Sequence, residues 1–303
     1  MLFRSLDNLN LANELIDKGL KAPIFQYRIR ATDEILEFNL EELSDVLDFP
    51  FRLQCEQYKF ARMLAHKLDN HNCSSVMFNR KLISFSDTGN KVKLKVDHKG
   101  IEEDYECDYL IGADGANSIV RRNLGIEFGG FTYKEKFFTL STEKPLENYF
   151  NELSYVNYVS DPDEWFVMLK APSAWRILVP VDEDLDDDLI TSDDYVRNIF
   201  KRALNSDDHI ETIHRTIYRV HQRVVDTMRS GRVVLAGDSA HLNNPLGGFG
   251  MNGGIHDAWN LAKQLDEIIN HNKDEELLDL YDRQRRTIMN DFIQKQKIGR
   301  AHV

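Results

Sequence analysis

The 303-residue chain has few cysteines, no long hydrophobic run and no excess of basic residues. Its three cysteines, Cys55, Cys73 and Cys107, show no Cys-x-x-Cys spacing. They therefore argue against a disulfide framework or a zinc site, and they fit the reducing cytoplasm. No apolar run approaches the roughly 18 residues that a membrane span needs. We expect a cytoplasmic protein without a membrane span or a bound metal.

The charge balance is acidic. There are 38 basic and 50 acidic residues, which give a net charge of −12. Binding to nucleic acid or to an anionic membrane needs a cationic face, so neither partner is expected. The acidic residues concentrate between Asp182 and Asp194, and we interpret that stretch as solvated surface.

The order of segments predicts an α/β fold with two domains. Helix–strand units at both ends flank a central region of strands rich in aromatic residues. One discontinuous α/β domain is predicted from residues 1–22, 52–128 and 226–303. A second, mostly antiparallel β-sheet domain is predicted from residues 23–51 and 129–225.

Hydrophobic periodicity places the main helices. Apolar residues at helical spacing predict helices over 6–20, 57–68, 251–269 and 277–296. A strand-like segment is predicted over 75–78. These boundaries are tested against the structure below.

The strongest chemical signal is the segment GDSAHLNNPLGGFGMNGGIHDAWNL, residues 237–261. A strand end is followed by Asp238 and by a glycine-dense loop that leads into a helix. Ligands of open α/β sheets bind outside the carboxyl ends of strands, and a carboxylate there can accept hydrogen bonds from sugar hydroxyls. Gly248, Gly250 and Gly253 form a G-x-G-x-x-G pattern. Because ten residues separate Gly237 from Gly248, we do not interpret it as a dinucleotide fingerprint.

A second signal is GADGANSIVRR, residues 112–122. A strand leads to Asp114 and Gly115 in a turn, and Arg121 and Arg122 follow on a helix. A carboxylate and arginines beside a backbone turn suit a pyrophosphate–ribose ligand. A structural turn with arginines on the helix surface is the open alternative.

Together, these segments resemble the flavin-dependent aromatic hydroxylases of the para-hydroxybenzoate hydroxylase type, the class A flavoprotein monooxygenases. That family's D-G-A-x-S-x-V-R motif reads DGANSIVR here. Its G-D-A-A-H…P-x-G-G-x-G-x-N-x-G…D-A-x-N-L string reads GDSAH, PLGGFGMNGG and DAWNL, with Ser239 in place of the usual alanine. Gln57 opens QYKFARML, which matches the family's Q-x-x-L/F-x-x-x-L helix start.

The resemblance implies FAD and NAD(P)H as cofactors. Asp238 would hold the ribityl or ribose hydroxyls, and residues 245–252 would line the isoalloxazine ring. Gln57 is equally well explained as an exposed residue at a helix start, and His241 is expected to fix its loop. The implied cofactor-binding residues are Gln57, Asp114, Gly115, Arg121, Gly237, Asp238, Pro245, Gly247, Gly248, Gly250, Met251 and Asn252. No catalytic residue is assigned.

The implied fold is a Rossmann-like FAD-binding domain with an inserted, mostly antiparallel β-sheet substrate domain. The implied reaction uses NAD(P)H and O₂ to hydroxylate a small aromatic substrate through a flavin C4a-hydroperoxide. Aromatic pocket candidates are Tyr158, Trp165, Phe166, Trp175, His214 and His221, although a core or surface position is favoured for each of them and none is assigned to the pocket. Two alternatives remain. One is a reductase or halogenase of the same fold, although the halogenase W-x-W-x-I-P motif has no match here. The second is a non-catalytic flavin-binding relic.

The ends of the chain differ from the family pattern. That pattern begins with a strand–G-x-G-x-x-G–helix unit that receives the FAD pyrophosphate, and no such unit precedes Leu6. We therefore expect a chain truncated at both ends, lacking the first βαβ unit and inactive by itself. Met1–Ser5 and Ile298–Val303 match translations of a common sequencing adapter, and we hypothesise that they are read-through residues.

Overall fold

The computed structural model describes residues 2–161, 165–245 and 248–293. It is a mixed α/β fold with several multi-stranded sheets. Contacts divide the chain into two compact units. Unit 1 comprises residues 3–75 and 134–219, and unit 2 comprises residues 76–133 and 220–303.

The helices of the described residues are α1 (Leu2–Asn8), α2 (Ala12–Asp17), α3 (Gln57–Asp69), α4 (Ile119–Asn123), α5 (Asp187–Thr191), α6 (Asp193–Leu204), α7 (Phe249–His271) and α8 (Glu276–Thr287). Their strands are β1 (Leu20–Ala22), β2 (Ile24–Ile29), β3 (Glu34–Asn39), β4 (Arg52–Gln54), β5 (Lys81–Asp87), β6 (Val92–His98), β7 (Ile101–Cys107), β8 (Leu110–Gly112), β9 (Phe128–Thr142), β10 (Val156–Ser160), β11 (Phe166–Ala171), β12 (Ala174–Val181), β13 (His214–Val225), β14 (Arg229–Ser230), β15 (Val233–Leu235) and β16 (His241–Leu242). Short 3-10 turns lie at Leu40–Leu43, Leu146–Tyr149 and Gly237–Ser239.

Unit 1 is built on a largely antiparallel sheet with the strand order β9, β12, β11, β10, β2, β3. Of these pairs, β10 and β2 are parallel. Alternate residues of the strands point to one face, where Leu140 and Ile177 are fully buried. The apolar stripe of α6, which includes Ile199 and Phe200, packs in the same core. The two-residue period of the strands and the helical period of α6 together make this core.

Unit 2 contains a three-stranded sheet in the order β14, β15, β8, and an antiparallel meander of β5, β6 and β7. Strand β15 runs parallel to β8, with Val233 opposite Leu110 and Leu235 opposite Gly112. All three residues of β15 are completely buried. Burial on both faces explains why this strand reads as an uninterrupted apolar run.

In unit 2, helix α4 packs closely against strand β8, and helix α8 packs closely against strand β15. A Cβ added at Gly112 would lie 2.8 Å from Val120 of α4 and 2.9 Å from Leu235 of β15, so only glycine allows this approach. On α8, Tyr281 is fully buried, and its hydroxyl donates a hydrogen bond to the Leu235 carbonyl at 2.8 Å.

The helix predicted over 6–20 is wrong. Two helices, α1 and α2, are separated at Asn10, whose φ is 55°, and β1 begins at Leu20. Asparagine tolerates the left-handed conformation better than most residues, so it ends the first helix where apolar periodicity alone predicts continuation.

Two further predictions need correction. Residues 75–78 do not form a strand. The predicted helix 277–296 is α8, which continues as a π-helical turn over Ile288–Ile293. Its last three residues lie outside the described residues, as do Met1 and Ile298–Val303.

The contacts group residues 3–22 and 52–75 with unit 1. The assignment of these two segments to a cofactor-binding domain concerns function and stays a prediction. Within residues 2–161, 165–245 and 248–293, no helix has both the length and the apolar character needed to cross a membrane.

Candidate functional site

The two sequence signals meet at one edge of the sheet in unit 2. Because β8 and β15 are parallel, their carboxyl ends lie side by side, and Asp114 and Asp238 follow those ends. A cavity of about 520 Å³ opens there. Its lining residues are Ile111, Ala113, Gly115, Ala236, Gly237, Asp238, Gly250, Met251, Gly254, Ala258, Leu261, Ala262 and Leu265.

One wall of the cavity is a small-residue face of α7. Gly250, Gly254, Ala258 and Ala262 recur every four residues, so they lie on the same side of the helix. Small side chains leave the helix backbone close to the cavity. The sequence shows this four-residue spacing, but only the glycines, and not Ala258 and Ala262, were predicted to lie near a ligand.

Asp238 supplies the carboxylate of the cavity wall. It lies in the turn Gly237–Ser239 after β15, where Gly237 has a left-handed φ of 62°. Asp238 is exposed at the cavity, but the surrounding walls shield it partly from water and so raise the pKa of its carboxyl group, and the nearby His241 lowers that pKa by less. An acceptor in an apolar surrounding suits hydroxyl donors of a ligand.

Ser239, the residue that departs from the family pattern, ties the two strand ends together. It is fully buried, and its Oγ lies 2.5 Å from the Gly112 carbonyl oxygen and 2.8 Å from that of Ala236. The hydroxyl therefore contributes a contact between the end of β8 and the end of β15 that an alanine could not make.

Asp114, the carboxylate of the second signal, accepts from backbone amides of its own segment. Asp114 Oδ2 accepts hydrogen bonds from the amides of Ile119 at 2.7 Å and Val120 at 3.2 Å. It therefore satisfies the free N–H groups at the start of α4. Gly115, with a φ of 79°, makes the turn that allows this and lines the cavity.

Arg121 is buried rather than displayed to solvent, with 6% of its surface exposed. Its guanidinium donates to the carbonyl of Ser239 at 2.8 Å and to that of Ala116 at 2.7 Å. It also lies 4.0 Å from the centre of the Phe128 ring. Burial lowers the pKa of Arg121. The side chain holds the two cavity loops together.

The glycine-rich loop leads into the start of α7. Gly247 lies outside the described residues, and Pro245 precedes that gap. Gly248, with a φ of 68°, is the N-cap of α7 and contributes no side-chain cap to it. Gly250 and Met251 of the first turn line the cavity. The amides and positive dipole end of α7 thus lie at this wall.

Asn252 belongs to the same turn. Its side-chain amide donates to the Gly248 carbonyl at 2.6 Å. Its Oδ1 is buried and has no hydrogen-bond partner within the described part of the chain. A buried amide oxygen of this kind is unusual unless a ligand or water supplies the donor.

A buried ionic group centred on Asp257 lies behind the cavity wall, and its centre was not predicted from the sequence. Asp257 accepts from His241 Nε2 at 2.6 Å, from Arg285 Nε at 2.6 Å and from the Gly237 amide at 2.8 Å. Burial alone raises the pKa of Asp257, but the His241 and Arg285 contacts outweigh it and lower that pKa. The available signal for this buried group was an acidic residue, within HDAWNL, on the inward side of a predicted helix.

Gln57 lies in unit 1, as the first residue of α3, with its side chain exposed. The preceding Glu56 is buried. Burial raises the pKa of Glu56, but contacts with Lys59 and Ser173 outweigh it and lower the pKa to about 2. The exposed Gln57 side chain therefore lies at the start of α3, next to Glu56, whose own side chain is held by Lys59 and Ser173.

The aromatic pocket candidates have different environments. Phe166 and Trp175 belong to the core of unit 1. Tyr158 stacks on Tyr27 with ring centres 4.9 Å apart, and its hydroxyl accepts a hydrogen bond from Arg52 at 3.2 Å. The remaining candidates contact neighbours within their own unit: Trp165 with Phe137, His214 with Thr216 and His221 with Thr132.

The chain matches one protein family and is similar in sequence to two monooxygenases. A family described as FAD binding domain matches residues 2–296. The chain is 30% identical over 286 residues to 6-hydroxy-3-succinoylpyridine 3-monooxygenase of Pseudomonas putida (strain DSM 28022 / S16), covering 93% of this chain and 71% of that protein. It is 29% identical over 293 residues to para-nitrophenol 4-monooxygenase of Pseudomonas sp. (strain WBC-3), covering 95% and 72%.

A solved structure is also similar. The crystal structure of p-nitrophenol 4-monooxygenase from Pseudomonas putida DLL-E4 superposes with a TM-score of 0.88 at 26% identity. The match covers 96% of this chain and 74% of that one.

Proposed function

The chain belongs to the FAD binding domain family, and from this membership we propose that it carries FAD in the cavity of unit 2. We propose further that it functions as part of a monooxygenase, which uses NAD(P)H and O₂ to hydroxylate a small aromatic substrate. The observation that carries the proposal is the cavity itself. It combines a carboxylate at a strand end, a glycine-lined backbone and a helix start in one place.

The residues present fit FAD. Gly250 and Gly254 leave the α7 wall without side chains that would exclude a flat ring. The ligand therefore need not displace bulky groups.

Each group would have a distinct task. Asp238 would accept hydrogen bonds from the ribityl or ribose hydroxyls of FAD. The amides at the start of α7 would stabilise negative charge on the ring, since the positive end of the helix dipole lies there. FAD, when bound, supplies the redox chemistry that couples NAD(P)H oxidation to O₂ activation. The protein binds, orients and excludes water.

The substrate class is inferred from the relatives. Their names specify a nitrophenol and a hydroxylated pyridine as substrates. We propose a small, electron-rich aromatic ring for this chain, and we propose that the sheet of residues 23–51 and 129–225 forms the substrate domain.

The sheet of unit 2 supports a proposal about the strand–glycine-rich turn–helix unit with which the family pattern begins. β8 is the last strand in the order β14, β15, β8. Ile111, in the middle of β8, is 45% exposed and lines the cavity. We propose that a further parallel strand, followed by a glycine-rich turn and a helix, pairs along β8 and binds the FAD pyrophosphate.

The test begins with an equilibrium titration of the purified chain with FAD, followed by flavin fluorescence. We expect saturable but weak binding. Fusion of a strand–glycine-rich turn–helix unit of the kind in the family pattern is expected to tighten this binding. Absence of saturable binding by both proteins would contradict the proposal.

The reaction is then tested on the FAD-loaded fusion protein with NADH or NADPH and a panel of phenols. Substrate-stimulated NAD(P)H oxidation and a product that contains oxygen from labelled O₂ are expected. A reduced or halogenated product would favour the reductase or halogenase instead. Bound FAD without any stimulated oxidation would favour a non-catalytic relic.

A further inference from the structure

The Asp257 carboxylate joins three segments of unit 2. It lies on α7 and is completely shielded from solvent. Its Oδ2 accepts hydrogen bonds from the Gly237 amide at 2.8 Å and from His241 Nε2 at 2.6 Å. Its Oδ1 accepts from Arg285 Nε at 2.6 Å. One buried group on α7 therefore binds three other segments: the turn after β15, strand β16 and α8.

We propose that Asp257 is a positioning residue for the cavity. By holding the Gly237 amide, it fixes the direction in which the adjacent Asp238 carboxylate faces the cavity. This inference rests on the proposed function, in which FAD occupies that cavity. Asp257 is absent from the cavity lining, so it acts through Gly237 and not through contact with the ligand.

The backbone geometry explains why a carboxylate is needed at this point. Gly237 has a left-handed φ of 62°, and a Cβ on Gly254 would lie 3.3 Å from the Gly237 Cα. The turn and α7 therefore meet backbone to backbone. Asp257 follows Gly254 by three residues, nearly one helical turn, so its side chain can reach the Gly237 amide.

The other two donors keep Asp257 charged. A buried carboxylate is stable only when its oxygens are matched by donors. His241 and Arg285 supply them, and Arg285 also donates to the Gly253 carbonyl at 3.3 Å. Three donors converge on two oxygens. An asparagine at this position would direct N–H groups against at least one donor, although it has almost the same size.

The experiment compares the chain with Asp257→Asn by equilibrium FAD titration. We expect the dissociation constant to rise about tenfold or more, because a buried hydrogen bond to a charged group is lost and the turn is released. Leu278→Ala is the stability control, since it removes a fully buried apolar side chain of α8 and none of the Asp257 donors. Its FAD affinity is expected to stay within about twofold of the parent.

Asp266→Asn is the charge control. It removes one negative charge from an exposed position on the same helix, and the FAD affinity is expected to be unchanged. An Asp257→Asn protein that binds FAD as tightly as the parent would overturn the inference.

Hydrogen–deuterium exchange without FAD separates this inference from the proposed function. In the parent, the Gly237 amide is expected to exchange as slowly as the amides of β15, because its acceptor is buried. In Asp257→Asn, exchange is expected to accelerate locally at Gly237. Fast exchange at Gly237 in the parent would overturn the inference even where the variant fails to fold. Failure of the parent to bind FAD would contradict the proposed function, and the exchange result would still decide the role of Asp257.

Discussion

The turn after β8 and the turn after β15 carry the same two residue types at one edge of a parallel strand pair, but their carboxylates have different environments. Asp114 Oδ2 accepts two backbone amides of α4. Asp238 lines the cavity. Both turns use a left-handed glycine, Gly115 at 79° and Gly237 at 62°.

The distance to the next helix explains the difference. α4 begins at Ile119, so its free amides lie within reach of Asp114. After Asp238 the chain makes a long loop before α7 begins at Phe249. The Asp238 carboxylate therefore remains available to a ligand. An aspartate at a strand end is a ligand candidate mainly when no helix start follows closely.

The largest effect that sharpens this comparison is expected from Asp238→Ala. We expect FAD binding to weaken about tenfold or more, because an acceptor for ligand hydroxyls is lost. The melting temperature without FAD should change little, since Asp238 is exposed. The measurements are FAD titration and thermal unfolding by circular dichroism, with Asp266→Ala as an exposed control. A large loss of stability with unchanged affinity would reverse the roles assigned to the two turns.

Close packing distinguishes the glycines of the β8 turn. Gly112→Ala is expected to lower the free energy of unfolding by about 2 kcal/mol, because the new Cβ overlaps Val120 and Leu235. Gly115→Ala has open space around its Cβ and suffers only from its positive φ, so about 1 kcal/mol is expected. Urea denaturation measures both values. Equal losses would show that Val120 and Leu235 move aside for the new Cβ and that packing does not require glycine at position 112.

The capping role of Asp114 predicts a smaller effect on stability. Asp114→Ala is expected to lower the free energy of unfolding by about 1 kcal/mol, whereas Asp114→Asn, which retains an acceptor, should lose only a few tenths. Denaturant unfolding of the two variants provides the check. If alanine and asparagine are equivalent, the contacts with Ile119 and Val120 do not stabilise α4.

The smallest effect concerns pH. The pKa of Asp238 is raised above the ordinary value of 3.8, so its negative charge at neutral pH slightly destabilises the folded chain relative to the unfolded chain. Asp238→Asn should therefore be marginally more stable than the parent without FAD. A ligand that needs the charged acceptor should bind less tightly as the pH falls, starting above the ordinary range for aspartate.

FAD titrations of the parent and Asp238→Asn at neutral and mildly acidic pH test this expectation. The parent should lose affinity on acidification more steeply than the variant. Parallel pH profiles would show that the ionisation of Asp238 does not contribute to binding.

Much of the fold was predictable where periodicity is strong. The buried run that forms β15 and the helical spacing of α3 and α7 predicted those elements. The break at Asn10 was not predicted, because one left-handed residue interrupts an apolar pattern that otherwise continues. The family resemblance inferred from two motifs is confirmed by the family match and by the named relatives.

The site was predictable in its outline and less so in its detail. Of the residues predicted from the motifs, Asp238, Gly115, Gly237 and Gly250 line the cavity, and their binding of FAD stays a prediction. Sequence alone could not assign Arg121 to two backbone carbonyls, because Ser239 is distant in the chain. It likewise missed that His241, Asp257 and Arg285 form one buried group, since such contacts depend on how helices pack.

The location of the FAD site is the central claim, and hydrogen–deuterium exchange with and without FAD tests it most directly. The account predicts that saturating FAD slows exchange in segments 112–118, 236–240 and 248–254, which surround the cavity. Protection confined to other segments, or no protection at concentrations that saturate binding, would contradict it.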